Sequence, residues 1–142
     1  MIRTFKESDL SAIMRIWLDT NIKTHNFISE EYWKSNYNMV KEILPKAEIY
    51  VHEDNDTNIV TGFIGLTDNY IAGLFVNDTA QSKGIGKQLL DYAKSIKSEM
   101  SLNVYQDNVR AVQFYKREQF QIQSESVDDN TNAKELIMTW NK

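Results

Sequence analysis

Cysteine is absent from this chain of 142 residues, which excludes disulfides, thiolate metal ligands and a cysteine nucleophile. Histidine occurs only twice, at His25 and His52, too far apart in sequence to suggest a histidine-rich metal site. A single proline and five glycines leave nothing that reads as a linker or low-complexity tract. No apolar run approaches membrane-spanning length, and the opening MIRTFKESDL lacks the charged-then-apolar order of a signal peptide, so a cytoplasmic address without membrane contact is expected. A basic excess is missing too. The formal charge of −4 argues against general nucleic-acid binding and mildly favours cationic or amine substrates. What remains is 42% hydrophobic and 25% charged residues, the composition of one globular domain spanning 1–142.

Along the chain, Ile2–Phe5 alternates as a short strand. Ser8 or Asp9 is placed to cap a helix whose Leu10, Ile13, Met14 and Trp17 share one face. The segment from Asn21 to Glu31 breaks that pattern, its Thr24-His25-Asn26-Phe27 reading as a helix end or loop. A second helix from about Ser29 to Leu44 carries Trp33, Tyr37, Val40 and Leu44 until Pro45 stops it. Strands at Glu48–His52 and Ile59–Leu66 flank the turn-forming run Glu53-Asp-Asn-Asp-Thr-Asn58. Gly62 and Gly65 mark a bulge or close packing in the second of them. A third strand covers Ile71–Val76. A helix over 85–97 turns Ile85, Leu89, Leu90, Ala93 and Ile96 inward. Ser101–Tyr105 is a strand, Asn108–Glu118 a helix, and Phe120–Val127 with Glu135–Trp140 a closing hairpin around Asp128–Asn132. The expectation is a single mixed α/β domain.

The chemistry concentrates between Tyr70 and Phe120. A strand ending Leu74-Phe75-Val76 feeds Gln81-Ser82-Lys83-Gly84-Ile85-Gly86 at a helix start. The first helical N–H groups have no intrahelical acceptor, and glycines let an anion approach them, so the loop reads as an anion cradle, with Lys83 and Lys87 either adding charge or standing as solvated helix-start lysines. It lacks the G-x-x-x-x-G-K-[ST] of a P-loop, and lacks the third glycine and acidic partner of a dinucleotide fingerprint. Two glycines before a helix also occur at ordinary turns.

Gln81-x-x-Gly84-x-Gly86 after that strand resembles the acetyl-CoA signature of the GNAT superfamily of N-acetyltransferases. So does the downstream run Leu102-x-Val104, Asn108, Ala111, Phe114-Tyr115 and Phe120. The likeness is close over about residues 60–120 and diffuse over the rest. Thr24-His25-Asn26-Phe27, Tyr32-Trp33 and Leu44-Pro45 further resemble small stand-alone bacterial members, some of them lysine acetyltransferases. The resemblance implies an α/β (α+β) fold with a mixed, mostly antiparallel sheet of about seven strands and four helices. It implies acetyl-CoA as co-substrate and direct attack by an amine in a ternary complex. Backbone groups of Leu74 and Val76 would then pair with the pantetheine arm, and N–H groups near Phe75 would face the oxyanion. The N–H groups between Gln81 and Lys87, those of Ser82, Lys83, Gly84, Ile85 and Gly86 among them, would hold the pyrophosphate. Asn108 and Ala111 would line the cofactor, and Tyr115 would hand a proton to the departing thiolate. With a phenol near 10 and a thiol near 8.5, full transfer is uphill by roughly 2 kcal/mol, so Tyr115 helps as charge develops.

The amine half is harder. A lysine-like amine at neutral pH is free base in only about one molecule in a thousand. Many relatives carry a glutamate where this chain has Asn103, and an amide is no base. His25, Glu30, Glu31 or a water chain are the alternatives, each of those residues reading more readily as structural or solvated. His25, Phe27, Trp33 and Tyr70 are candidates to wall the acceptor pocket, with core packing an equal reading for Trp33 and Tyr70. A second departure is Gln119 in place of a glycine; in a left-handed helix end it costs about 1 kcal/mol. The rival readings are a non-catalytic acyl-CoA-binding module and a nucleotide-binding protein using the same loop. The acceptor's identity and the choice between monomer and homodimer are open at this level.

Overall fold

Apolar residues recurring every third or fourth position in some stretches and every second in others divide the chain into helices and strands. A computed structural model describes all of residues 1–142. Its strands are β1 (Ile2–Thr4), β2 (Glu48–Glu53), β3 (Val60–Thr67), β4 (Tyr70–Val76), β5 (Glu99–Tyr105), β6 (Gln121–Val127) and β7 (Lys134–Asn141). Its helices are α1 (Leu10–Thr24), α2 (Glu30–Ile43), α3 (Ile85–Ile96) and α4 (Val109–Arg117). The seven strands form one sheet in the order β1-β2-β3-β4-β5-β7-β6. Every neighbour is antiparallel except β4 and β5. That parallel pair touches only at Tyr70↔Ser101 and Ile71↔Leu102. Beyond those residues the strands part and leave a notch at their carboxyl ends, the place where open α/β sheets bind ligands.

Two cores sit on opposite faces. On one, Leu89, Leu90 and Ala93 of α3 and Val112 of α4 pack on Ile64, Leu66, Ile71, Leu102 and Met138. On the other, Ile13, Met14 and Trp17 of α1 and Trp33 of α2 pack on Ile49, Val51 and Phe63. Helix α1 lies over β3 and β4. The same face of β5–β7 is left open: Asn103 of β5 is exposed, as are Gln121 and Ser124, the β6 residues in register on that face.

Several local expectations change. Helix α1 ends at Thr24, within the expected helix end, but Asn21 does not break its pattern: it is buried and its amide donates to Trp17 O at 2.9 Å. Asp9 does not cap it with its side chain. Its carboxylate takes a bidentate pair from Arg3 at 2.8 and 3.0 Å and the Lys6 N–H at 2.8 Å. Ser29 does cap α2, accepting the Tyr32 N–H. Ile96, expected in the core, is 44% exposed, since it ends α3 where the chain turns extended at Lys97. Both readings of the β3 glycines hold, one at each: a Cβ on Gly62 would stand 2.9 Å from Phe75 O, and the register slips after Gly65. Gln119 is left-handed, with φ +74°.

Candidate active site

The loop after β4 is pinned at its start by Gln81, whose Nε2 donates to Val76 O at 3.1 Å. Ser82 and Gly84 then take left-handed φ values of +67° and +79°, turning the chain so that α3 begins at the notch. Gly84 is the N-cap and has no side chain to accept a hydrogen bond; the first helical bond runs from Gln88 N–H to Gly84 O at 3.0 Å. None of the six N–H groups from Ser82 to Lys87 therefore donates within the protein. Six free donors at the positive end of a helix dipole suit a diphosphate. A Cβ on Gly86 would lie 3.7 Å from both Phe114 and Val76, so its absence leaves room rather than relieving a clash.

Of the two readings of the lysines, the geometry favours the solvated helix-start one. Lys87 lines the cleft, but its ammonium is taken by Asp91 at 3.1 Å and Glu118 at 3.2 Å. Lys83 points into solvent outside the cleft. The cation that reaches the loop is Arg110 in the first turn of α4, which donates to Ser82 Oγ at 3.0 Å. Sequence reasoning missed it, since 28 residues separate the partners and only the packing of α4 beside the loop joins them.

The cleft, about 510 Å³, is walled by the open edge of Leu74, Phe75 and Val76 on one side and by Ala111, Phe114 and Tyr115 on the other. Tyr115 is held between Phe114 and Phe120, with ring centroids 5.2 and 5.5 Å away. Burial alone pushes its phenol well above the ordinary range, so it stands in the cleft as a neutral donor. The free edge of β4, the uncapped start of α3 and the glycine gap fit a long thioester cofactor with a diphosphate in its middle.

His25 reaches this cleft in the structural one of its two expected roles. Asn21 Nδ2 is committed to Trp17 O, so Asn21 Oδ1 faces His25 Nδ1 at 3.0 Å. Asn108 Oδ1 accepts the Ala111 N–H at 3.3 Å, so Asn108 Nδ2 faces His25 Nε2 at 3.2 Å. Backbone groups at both ends orient the two amides, and the imidazole between them carries its hydrogen on Nδ1 and gives its Nε2 lone pair to Asn108. Burial lowers its pKa to about 4. His25 is thus a neutral strut that ties α1 to the cap of α4, and its lone pair is already in use.

The other acceptor-side candidates separate. Trp33 is only 7% exposed and packs edge-on to Trp17, which makes it a core residue with its face toward His25. Phe27, 37% exposed, leans on His25 and Tyr105. Tyr70 lies outside the cofactor cleft, 40% exposed on the uncovered face of the sheet. Glu30 is exposed and paired with Lys34 at 3.2 Å, and Glu31 is exposed beside it. Two side chains not singled out from sequence stand on that same side: Tyr105, which donates to Asp128 Oδ2 at 2.7 Å, and Glu135 of β7.

A family model described as an acetyltransferase (GNAT) domain matches residues 45–122. The chain is 32% identical over 142 residues to the peptidyl-lysine N-acetyltransferase YiaC of Escherichia coli, covering 99% of this chain and 96% of that one. It is 31% identical to the peptidyl-lysine N-acetyltransferase YjaB of Escherichia coli over 90% of this chain and 87% of that one. The solution structure of apo YjaB from Escherichia coli superposes with a TM-score of 0.87 at 29% identity, covering 99% of this chain and 96% of that chain. The seven-stranded sheet parted between β4 and β5, the glycine loop at its mouth and these likenesses agree: the chain belongs to the GNAT superfamily, enzymes that carry an acetyl group from acetyl-CoA to an amine.

Proposed function

We propose that this acetyltransferase, acting as one domain in the cytoplasm where acetyl-CoA is made, modifies lysine side chains of proteins or peptides. The observation that carries the acceptor class is the uncovered face of β5–β7. Asn103 of β5 and Gln121 and Ser124 of β6 are exposed there, with Tyr70 of the neighbouring β4 beside them. Small metabolites are held in concave, largely enclosed pockets, whereas an open sheet face admits a side chain that belongs to a larger partner. The names of YiaC and YjaB as peptidyl-lysine N-acetyltransferases point the same way.

On this reading the free edge of Leu74–Val76 pairs with the pantetheine arm as an added strand, and the N–H groups of Ser82–Lys87 receive the diphosphate. Asn108, oriented by His25, keeps one amide hydrogen free for the cofactor. Backbone N–H groups near Phe75 stabilise the oxyanion, and Tyr115 supplies a proton to sulfur as the thioester opens. With no cysteine in the chain, the amine attacks the thioester directly. A panel of capped lysine peptides, polyamines and aminoglycosides, followed by thiol release from acetyl-CoA, tests the acceptor class. The highest kcat/KM on a lysine peptide is expected; a small polyamine or aminoglycoside as the best acceptor would overturn it.

A further inference from the structure

We propose that Glu135 takes the proton from the acceptor amine, presented for that task by the strand register that sets it beside Asn103 on the uncovered face of the sheet. In the pairing of β5 with β7, Tyr105 lies opposite Glu135 and Asn103 opposite Ile137. Opposed residues share a face, as do residues two apart, so Asn103, Tyr105 and Glu135 point the same way. That way is opposite to Leu102, Val104, Leu136 and Met138, which are in the core. Asn103 is also the first residue of β5 beyond its last pairing with β4 at Leu102. It stands at the mouth of the notch, where the reading above puts the thioester and on which this inference rests.

The other candidates are committed or stand in solvent, as Glu31 does. His25 has given its lone pair to Asn108, and Glu30 is paired with Lys34 in solvent. Asp128 has both oxygens in use, accepting from the Asn130 N–H at 2.9 Å and the Tyr105 hydroxyl at 2.7 Å. Glu135 is half-buried, and the Asn103 amide is the one group that steadies its charge. Burial, then the nearby charge of Asp128, hold its carboxyl above the usual range, which makes it a stronger base. The groups that face it are Asp128 from the β6–β7 turn, Tyr32 from α2, Tyr70 from β4, and Tyr105 and Asn103 from β5. The Glu135 charge helps to raise the phenols of Tyr32 and Tyr70, so these stay neutral. An entering ammonium meets carboxylates and tyrosine rings, a setting that favours a cation.

The chemistry balances. The ammonium gives one proton to the Glu135 carboxylate, directly or across one water, and becomes a free amine. Its lone pair attacks the carbonyl carbon; the C–N bond forms and the C–S bond breaks. Tyr115 passes its proton to sulfur and is made whole by the second N–H proton. The thiol leaves, the amide is neutral, and Glu135 releases its proton to water.

Glu135→Gln keeps the size of the side chain and removes the base. With a capped peptide holding one free lysine, kcat/KM is expected to fall about 100-fold at pH 7. The deficit should narrow as pH rises and more of the lysine is already free amine, while the Kd for acetyl-CoA stays at the wild-type value. Asn103→Glu in the Glu135→Gln background, which returns a carboxylate to the same face, should restore part of the rate. Wild-type rate and pH profile in Glu135→Gln would overturn the proposal. Turnover of the peptide by the wild-type enzyme tests the lysine reading separately. Carbon NMR of the Glu135 carboxyl, which needs neither turnover nor a variant, should give a raised pKa that drops when the peptide is added with CoA. A carboxyl that titrates in the ordinary range and ignores the peptide would also overturn it.

Discussion

The notch between β4 and β5 has two sides built from different parts of the chain. Toward α3 and α4, the recognition groups are mainly backbone: the unpaired edge of Leu74–Val76 and six free N–H groups in one short loop. Toward the open face they are side chains gathered from α2, β4, β5, the β6–β7 turn and β7, among them Tyr32, Tyr70, Tyr105, Asp128 and Glu135. A backbone site of this kind is common to any chain that makes the same turn, because every residue but proline carries the same donor and acceptor. A side-chain site changes with each substitution. The cofactor half therefore holds a constant ligand, and the acceptor half is free to set specificity.

The largest expected effect lies where the two halves meet. On the proposed mechanism, in which Tyr115 supplies the proton to sulfur, Tyr115→Phe should lower kcat by ~10²–10⁴-fold in steady-state assays. The acetyl-CoA Kd measured by calorimetry should barely move. A parallel loss of binding would mean that Tyr115 belongs to the cofactor's cradle instead of to the chemistry.

Next in size is a contrast inside the cradle. Gly86→Ala should weaken acetyl-CoA binding by about tenfold, ~1.4 kcal/mol, as a methyl enters the space left for the diphosphate. The same change in a helix stabilises the free protein by ~0.5–1 kcal/mol, so Tm should rise as affinity falls. Lys83→Ala, which removes a side chain outside the cleft, should leave the affinity within about threefold, since an exposed charge of this kind contributes little. Equal losses from Gly86→Ala and Lys83→Ala would break the claim that this half is built from backbone.

The strut between the halves should show in the pH dependence of stability. His25 has its pKa lowered from 6.5 to about 4, so the unfolded chain binds the proton more readily than the folded one. Its contribution is fully present above pH 6.5 and is lost as pH falls toward about 4. Thermal melts of wild type and His25→Gln should differ most above pH 6.5 and converge on acidification. The smallest effect belongs to Gln119, left-handed with φ +74° at the end of α4. Gln119→Gly should add about 1 kcal/mol of stability in denaturant titrations and leave kcat unchanged.

How much of this was legible follows the same division. The Gln81–Gly86 pattern, Asn108 and Tyr115 are local or sit at fixed offsets, so helix starts, caps and the strand–loop–helix order could be read directly. The left-handed Gln119 was legible for the same reason, as the end of a helix. Asn21 misled because a polar residue in a helical stretch reads as a break until its amide finds a buried partner, Trp17 O. Lys83 and Lys87 could be read as counter-charges or as solvated helix-start lysines, and for Lys87 only its partners, Asp91 and Glu118, chose between the two.

The sequence alone determined that the chain makes an α/β fold with a donor-rich loop at a helix start, because hydrophobic period, glycine placement and capping residues act over a few positions. Only the tertiary structure decided what His25 does, which cation reaches the loop and which carboxylate looks onto the notch. Arg110 meets Ser82 across 28 residues, His25 meets Asn108 across 83, and Glu135 meets Asn103 through strand register. Contacts of that range depend on how sheet and helices pack, and no short stretch of residues encodes them.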